Sequence, residues 1–392
     1  MNRLGFILFS GLLFLSSFTA LHAVNAKGIL VYLDGTVEIH KNGEITGPKS
    51  LNPGFELEDY DLLETGSDGS AEFDINTFIS DGTYDRISVK IENNTSVYFK
   101  TSGNQDDGFL QLILFTGGIT VNTGKLSSGI NMTVRAAGNA VIKVNDAEFG
   151  VLTAPDGSIL VTCYEGSLEC GIAPGIGSGS AFTEKAFSGM IVDVIQGRHL
   201  KIVDISPEMF DVYKTEWSAE KLRMFRAGSF SLTKPVIIKY EEYLEKYNLF
   251  YKEFRGYDKI FRKYKDLNIV PEKPSIPDDN NSIISKSDNS AQNETVDENM
   301  EMNDIIADKM KVSPAILRMR NVFFTYEELF YRIKEIKSYH DQVPVKGSLR
   351  KKYDIDDFMK DFQKNYKAAE KKNSYVRQSF NIYSKMDTAG LN

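Results

Sequence analysis

Few residues in this chain have both the type and the spacing to do chemistry. Its only two cysteines, Cys163 and Cys170, lie in "LVTCYEGSLECG", on either side of a Glu-Gly-Ser stretch. If Gly166-Ser167 is a two-residue hairpin loop with glycine first, Cys163 faces Cys170 across the strands. That register predicts a structural disulfide, although 163–170 is then a hydrogen-bonded pair, whose side chains stand farther apart. A solenoid corner at Glu165-Gly166 would undo the facing. Two free buried thiols, or redox or metal work, are the other readings. The C-x₆-C spacing is not the C-x-x-C that depresses a thiol pKa, so redox chemistry is the weakest of these.

Other chemistry is sparser. His40, His199 and His340 fall in distant segments, whereas a zinc site needs about four converging ligands. No metal and no cofactor are therefore expected. Gly175, Gly177 and Gly179 form a glycine run without the strand-then-helix setting of a dinucleotide fingerprint. Neither a G-x-S-x-G elbow nor a P-loop occurs. A glycosidase pair of carboxylates, distant in sequence, stays open as an alternative. The expectation is a protein without a catalytic constellation.

The elements that must position these residues fall into two halves. From Lys27 to about Ile205, short runs rich in Val, Ile, Thr, Tyr and Phe are broken by Asp-Gly and Asn-Gly. In "TVEIH", Val37 and Ile39 alternate with Glu38 and His40, as on a half-buried strand. Many such strands without helical periodicity predict an all-β domain over 27–205.

Beyond Pro207 the period changes. Tyr240, Tyr247, Phe254 and Phe261 recur every seven residues, a heptad seam that predicts a long helix within 206–268. Such a seam is core unless a partner docks on it, and its tyrosines suit a half-exposed groove. Residues 269–304 are acidic, polar and proline-containing, and are expected to form a disordered linker. Two further apolar stripes over 305–392, separated by Pro344 and Gly347, predict an antiparallel helical hairpin. The hairpin and the seam helix together make a three-helix unit, giving a multidomain α+β chain.

The N-terminus supplies the compartment. A basic start, an apolar run from Leu4 to Leu15 and Val24-Asn25-Ala26 have the form of a secretory signal peptide over 1–26. The run is shorter than the ~20 residues a spanning helix needs, so no transmembrane segment is expected after cleavage. Retention of the run as an anchor is the alternative. Export places the cysteines where disulfides form. The formal net charge of −8 argues against nucleic acid, whose binders displace counterions with basic patches.

Several motifs of the β half resemble the FecR-domain family. "GILVYLDGTVEIHKNGEI", with Gly28 and Gly35, is similar to the family's opening strand, glycine turn and second strand. "LEDYDLLETGSDGSAEFDI" resembles its most recognisable signature, with Asp61, Thr65, Gly66, Gly69 and Ala71 in the matching places and Tyr60 where the family prefers glycine. Asp156-Gly157 and Glu165-Gly166 resemble turns of its closing half, while Asp146-Ala147 departs from the family's Gly-Thr. The resemblance covers about 27–205. It implies a compact β module, solenoid-like or a sandwich of short strands, acting in the periplasm or envelope of a bacterium. Its relatives relay signals to sigma factors through a cytoplasmic segment, for which this sequence shows no counterpart.

Two functions from different classes follow. One is a non-catalytic binding or scaffold module that recognises an envelope protein or peptidoglycan, with helices for docking or oligomer assembly. The other is an envelope enzyme, a hydrolase acting on glycan or a thiol oxidoreductase. A signal-sensing component related to the FecR regulators is a third.

Overall fold

The computed structural model describes residues 25–389 apart from 42–43, 79–83, 101–109, 127–129, 131, 137–139, 173–181, 196–198, 266–290, 343–347 and 351–352. The expected signal segment lies outside the described residues up to position 24. Asn25 and Ala26 already belong to the first strand, paired with Phe78 and Thr77.

The β half is a sandwich of bent hairpins. Its strands are β1 (Asn25–Asp34), β2 (Val37–Lys41), β3 (Glu44–Thr46), β4 (Glu56–Leu57), β5 (Leu62–Thr65), β6 (Ser70–Phe78), β7 (Tyr84–Ile91) and β8 (Ser96–Lys100). They continue as β9 (Leu110–Thr116), β10 (Gly118–Asn122), β11 (Met132–Ala136), β12 (Ala140–Thr153), β13 (Ile159–Ile172), β14 (Phe182–Phe187), β15 (Met190–Ile195) and β16 (His199–Asp204). One layer runs β3-β2-β5-β8-β9-β11-β12-β13-β14, and the other β4-β1-β6-β7-β10-β12-β13-β15-β16. The long strands β12 and β13 bend and contribute one end to each layer. Among the described residues all pairings are antiparallel except β9 with β11. Inward residues of both layers, such as Val37, Ile39, Phe73, Val89, Leu112 and Phe149, share a single core.

Tight corners carry the chain from layer to layer. Along one edge the β1–β2, β5–β6, β7–β8 and β9–β10 corners stack on one another. Gly66 N–H donates to Thr36 O, and Asn94 N–H to Gly66 O. Threonines lace the same edge: Thr65 Oγ1 donates to Glu92 O, Thr95 N–H donates to Thr65 Oγ1, and Gly118 N–H donates to Thr95 Oγ1. Gly35 has φ +64°, and a Cβ there would lie 2.1 Å from Asp68 O. Only glycine fits so close a corner.

The cysteine motif departs from expectation. Glu165-Gly166-Ser167 is no hairpin loop but the bend of β13, which continues unbroken from Ile159 to Ile172 alongside β12. Cys163 therefore lies on one layer and Cys170 on the other, both facing the interior, and both are free thiols. The disulfide expectation is corrected, because the two residues belong to one strand and are not opposed across a turn. A Cβ on Gly166 (φ +83°) would meet Asp146 O at 1.9 Å, so this glycine matches the bend of β12 at Asp146-Ala147.

The helices are α1 (Phe210–Phe254), α2 (Asp258–Lys263), α3 (Ala291–Gln342) and α4 (Ile355–Ala389). α1 is kinked at Gly228 (φ −115°, ψ 21°). α1 and α4 both run antiparallel to α3: Phe225 meets Tyr339 and Tyr247 stacks on Tyr326 at 4.2 Å, while Phe323 meets Phe380 and Phe330 stacks on Tyr366. The three long helices form one antiparallel unit. The linker expectation is corrected in part: 291–304 belong to α3, while 269–290 lie outside the described residues. After Pro277 no proline or glycine interrupts the chain until Pro314, so the helix anchored by buried Ile305 and Val312 extends backwards. Among the described residues no helix is long and apolar enough to cross a membrane.

The seam is not a docking surface. Tyr240, Tyr247, Phe254 and Phe261 are 6%, 0%, 0% and 2% exposed, packed against α3 and α4. Their partner is the chain itself.

Candidate functional site

The helical unit sits on the outer face of the first layer. β5, β8 and β9 are buried on both faces, with Leu62, Tyr98 and Phe115 joining the helical core while their neighbours face the sandwich. Phe115 stacks on Tyr331 of α3 at 5.2 Å. The strand face that alternation assigns to solvent is thus the floor of a second interface.

Polar residues on that floor meet charges from the helices. On β2, His40 is 2% exposed, and its Nδ1 lies 3.1 Å from Arg377 of α4. Arg377 also forms a buried ion pair with Glu327 of α3. Glu64 of β5 accepts from Lys334 Nζ of α3 at 2.7 Å. Two acids and two bases therefore close a charge-balanced set between strand and helix. Nearby, Glu58 accepts from Asn381 and Lys385 of α4 at 3.1 and 2.9 Å. Arg320 donates to Tyr60 Oη at 3.0 Å, with its guanidinium over the Phe380 ring.

Burial sets the ionisation of these groups. Removal from water pushes His40 down to about 3, with Glu64 pulling the other way and Arg377 reinforcing the drop. Arg377 can only donate, so Nδ1 accepts and the ring proton sits on Nε2. His40 is a neutral imidazole with its tautomer fixed. Desolvation pushes Asp61 up to about 8 against the pull of Lys41, and pushes Glu327 up to about 7 against Arg377. Burial also works against the Glu64 and Glu58 carboxylates. Lys334 nonetheless holds Glu64 below its ordinary range, and Lys385 with Lys41 holds Glu58 at about 2.

Glu38, His40 and Glu64 bring ligand atoms within 4.8 Å of one another, which raises a metal centre. The donor set does not fit. A metal on Nε2 needs the proton on Nδ1, where Arg377 already donates. Lys334 occupies Glu64. The same geometry gives no general base, since the free lone pair of His40 faces a guanidinium. His340 lies elsewhere, 2.7 Å from Asp356, and His199 is on β16.

Beside this network an open cleft of about 500 Å³ runs between β2–β3 and α4, lined by Glu38, Ile45, Lys334, Tyr366, Lys367, Glu370, Lys371 and Ser374. The residues 367, 370, 371 and 374 follow helical spacing, so one face of α4 forms a wall.

The family-like motif residues occupy structural places. Gly28 packs against Leu57, Thr65 and Gly66–Gly69 build the corner, and Ala71 is in the sandwich core. Gly157 lies against Arg332 of α3. Asp61 also reaches the charged interface, 3.8 Å from Lys41. Glu64, Lys334 and Arg377 were not singled out from sequence, and Glu38 and His40 were read only as the outward face of a strand and as a histidine without converging ligands. Their signal was present in "VRQSFN", where Arg377 interrupts the apolar stripe at Val376 and Phe380. Burial raises the Cys163 thiol to about 11 and the Cys170 thiol to about 12, the reverse of an activated cysteine. No family model matches the chain, and no curated protein matches it.

Proposed function

We propose that this protein is an exported, FecR-like envelope module that binds rather than catalyses, and that its helices form a fixed wall of the binding cleft. The observation that carries this reading is the charge-balanced network joining β2 and β5 to α3 and α4, with an open cleft at its margin. Buried ion pairs add little stability over an apolar interface, but they define one docking geometry. A geometry fixed in this way suits a preformed site. The neutral His40, with its acceptor nitrogen committed to Arg377, supports a role without proton transfer. The ligand under this proposal is an envelope protein or a cell-wall fragment.

A photo-crosslinking residue placed at Lys371, in the cleft, tests this in intact bacterial cells against one at Leu249, exposed on α1. Capture of a distinct envelope component from position 371 and not from 249 is the expected result. Identical products from both positions count against the cleft as the binding site.

A further inference from the structure

The cleft contains an acid that no side chain answers. Glu38 is half-buried on β2, directly opposite Glu64 in register, and makes no hydrogen bond or ion pair with the described residues. Like charges facing across a strand pair are destabilising. Lys334 serves Glu64 and not Glu38. A third acid closes the same wall: Glu370 is 9% exposed and accepts from Tyr366 Oη at 2.9 Å. Burial, then the charges of Glu64 and Glu38, hold its carboxyl above the ordinary range.

Behind the acid pair, outside the cleft lining, lies a neutral imidazole. His40 Nε2, on a side chain 2% exposed, has no hydrogen-bond partner among the described residues and points at Glu64, 3.8 Å away. Its proton faces Glu64 and favours the ionised form of that carboxyl. A metal is excluded from this nitrogen by Arg377. An ammonium asks only for acceptor oxygens, which Glu38 and Glu370 offer.

The rim of the cleft has the opposite sign. Lys367 and Lys371, one helical turn apart on α4, are exposed and form no ion pair with the described residues. Between floor and rim lies the Tyr366 ring, backed by Phe330 at 5.1 Å. The volume falls within the ~300–1,000 Å³ of small-ligand sites.

We infer that the cleft takes a short zwitterionic peptide, with its ammonium on Glu38 and Glu370, its carboxylate on Lys367 and Lys371, and its backbone across Tyr366. This rests on the binding reading above and narrows it to a ligand class. Such a ligand supplies the cation missing beside Glu38 and the anion missing at the rim.

Titration calorimetry on the full chain with trialanine, its N-acetyl form and its C-terminal amide tests the inference. Each cap is expected to weaken binding by roughly ten- to hundredfold, as loss of a hydrogen bond to a charged group does. Glu38→Gln should erase the difference between free and acetylated peptide. The double change Lys367→Gln, Lys371→Gln should erase the difference between acid and amide. Unchanged melting curves of the variants keep these effects separate from folding. Equal affinity for all three peptides, or none at millimolar concentration, overturns the inference. Zinc binding that Glu38→Gln abolishes would replace it with a metal site. If trialanine fails while position 371 still crosslinks an envelope component, the peptide class is wrong and the binding module stands.

Discussion

The interior of the β sandwich and the interface beneath the helices are both buried, yet they are built from different materials. The sandwich interior is mainly Leu, Ile and Val, with Phe73 and Phe99 meeting edge-on at 6.4 Å. Its backbone groups are satisfied by strand ladders and stacked corners, so its cohesion needs no charge. The helical interface is aromatic and ionic. Tyr98, Tyr326 and Tyr331 place hydroxyls there beside Glu327, Tyr240 and Glu64, and the Tyr247 hydroxyl has no hydrogen-bond partner among the described residues. Arg377, Glu327, Glu64 and Lys334 place ions there. The first region is held by area removed from water. The second adds charges whose desolvation consumes most of what their attraction returns. The sandwich is therefore the source of strength, and the interface the source of a defined arrangement.

Arg377→Met should break that comparison most severely. It leaves Glu327 buried and uncompensated and removes the donor to His40 Nδ1, at a cost of roughly 3–5 kcal/mol. Hydrogen exchange should show α3 and α4 opening while β12 and β13 keep their protection. Adding Glu327→Leu should restore most of the loss, because an apolar pair in place of an ion pair is often neutral or better. Equal loss of protection in β12 would mean that the two regions do not behave separately.

How much of this was legible follows from what each pattern encodes. The alternation of Val37 and Ile39 located the sandwich core, but alternation says nothing of what covers the other face. Glu38 and His40 therefore looked solvated, although α4 lies over them. The seven-residue spacing of Tyr240 to Phe261 identified a buried seam. It left open whether the C-terminal hairpin or a docked partner fills that seam, and the occupants are the chain's own α3 and α4. Glu165-Gly166 has the composition of a hairpin loop. Only pairing with β12, which bends at the same level, makes it a corner within one strand. The charged site joins β2 and β5 to residues about 300 positions later, and local spacing carries no trace of that meeting.

Acidity should sharpen the comparison with a smaller and oppositely signed set of effects. Asp61 is pushed up to about 8 by burial, above its ordinary value near ~4. Its contribution is fully present below ~pH 4 and is lost as pH rises through about 8. Glu327, pushed up to about 7, acts in the same sense. His40 acts in the other: its contribution is intact above ~pH 6.5 and is lost as pH falls toward 3. Asp61→Asn should flatten the fall in helix protection between pH 5 and 8. Leu112→Ala, in the sandwich, should cost ~2–5 kcal/mol by the same amount at both values. An unchanged pH slope in Asp61→Asn would mean that this carboxyl is not buried as described.

The smallest effect should come from Tyr247→Phe. The ring stacks on Tyr326 with planes 15° apart, and that contact survives the change. What is removed is a hydroxyl that is buried and unpartnered among the described residues. The seam already accepts Phe254 and Phe261 at the next two heptad positions, so the site tolerates the shape. A buried hydroxyl without a partner costs ~1–3 kcal/mol of desolvation, offset here only by the loss of packing around one oxygen atom. Tyr247→Phe should therefore leave stability unchanged or raise it by up to ~1 kcal/mol in chemical denaturation. The same change at a satisfied tyrosine lowers stability, so a clear loss would reveal a partner for this hydroxyl. The aromatic seam would then specify its docking through hydrogen bonds as well as ions, and the contrast with the sandwich would be wider than drawn.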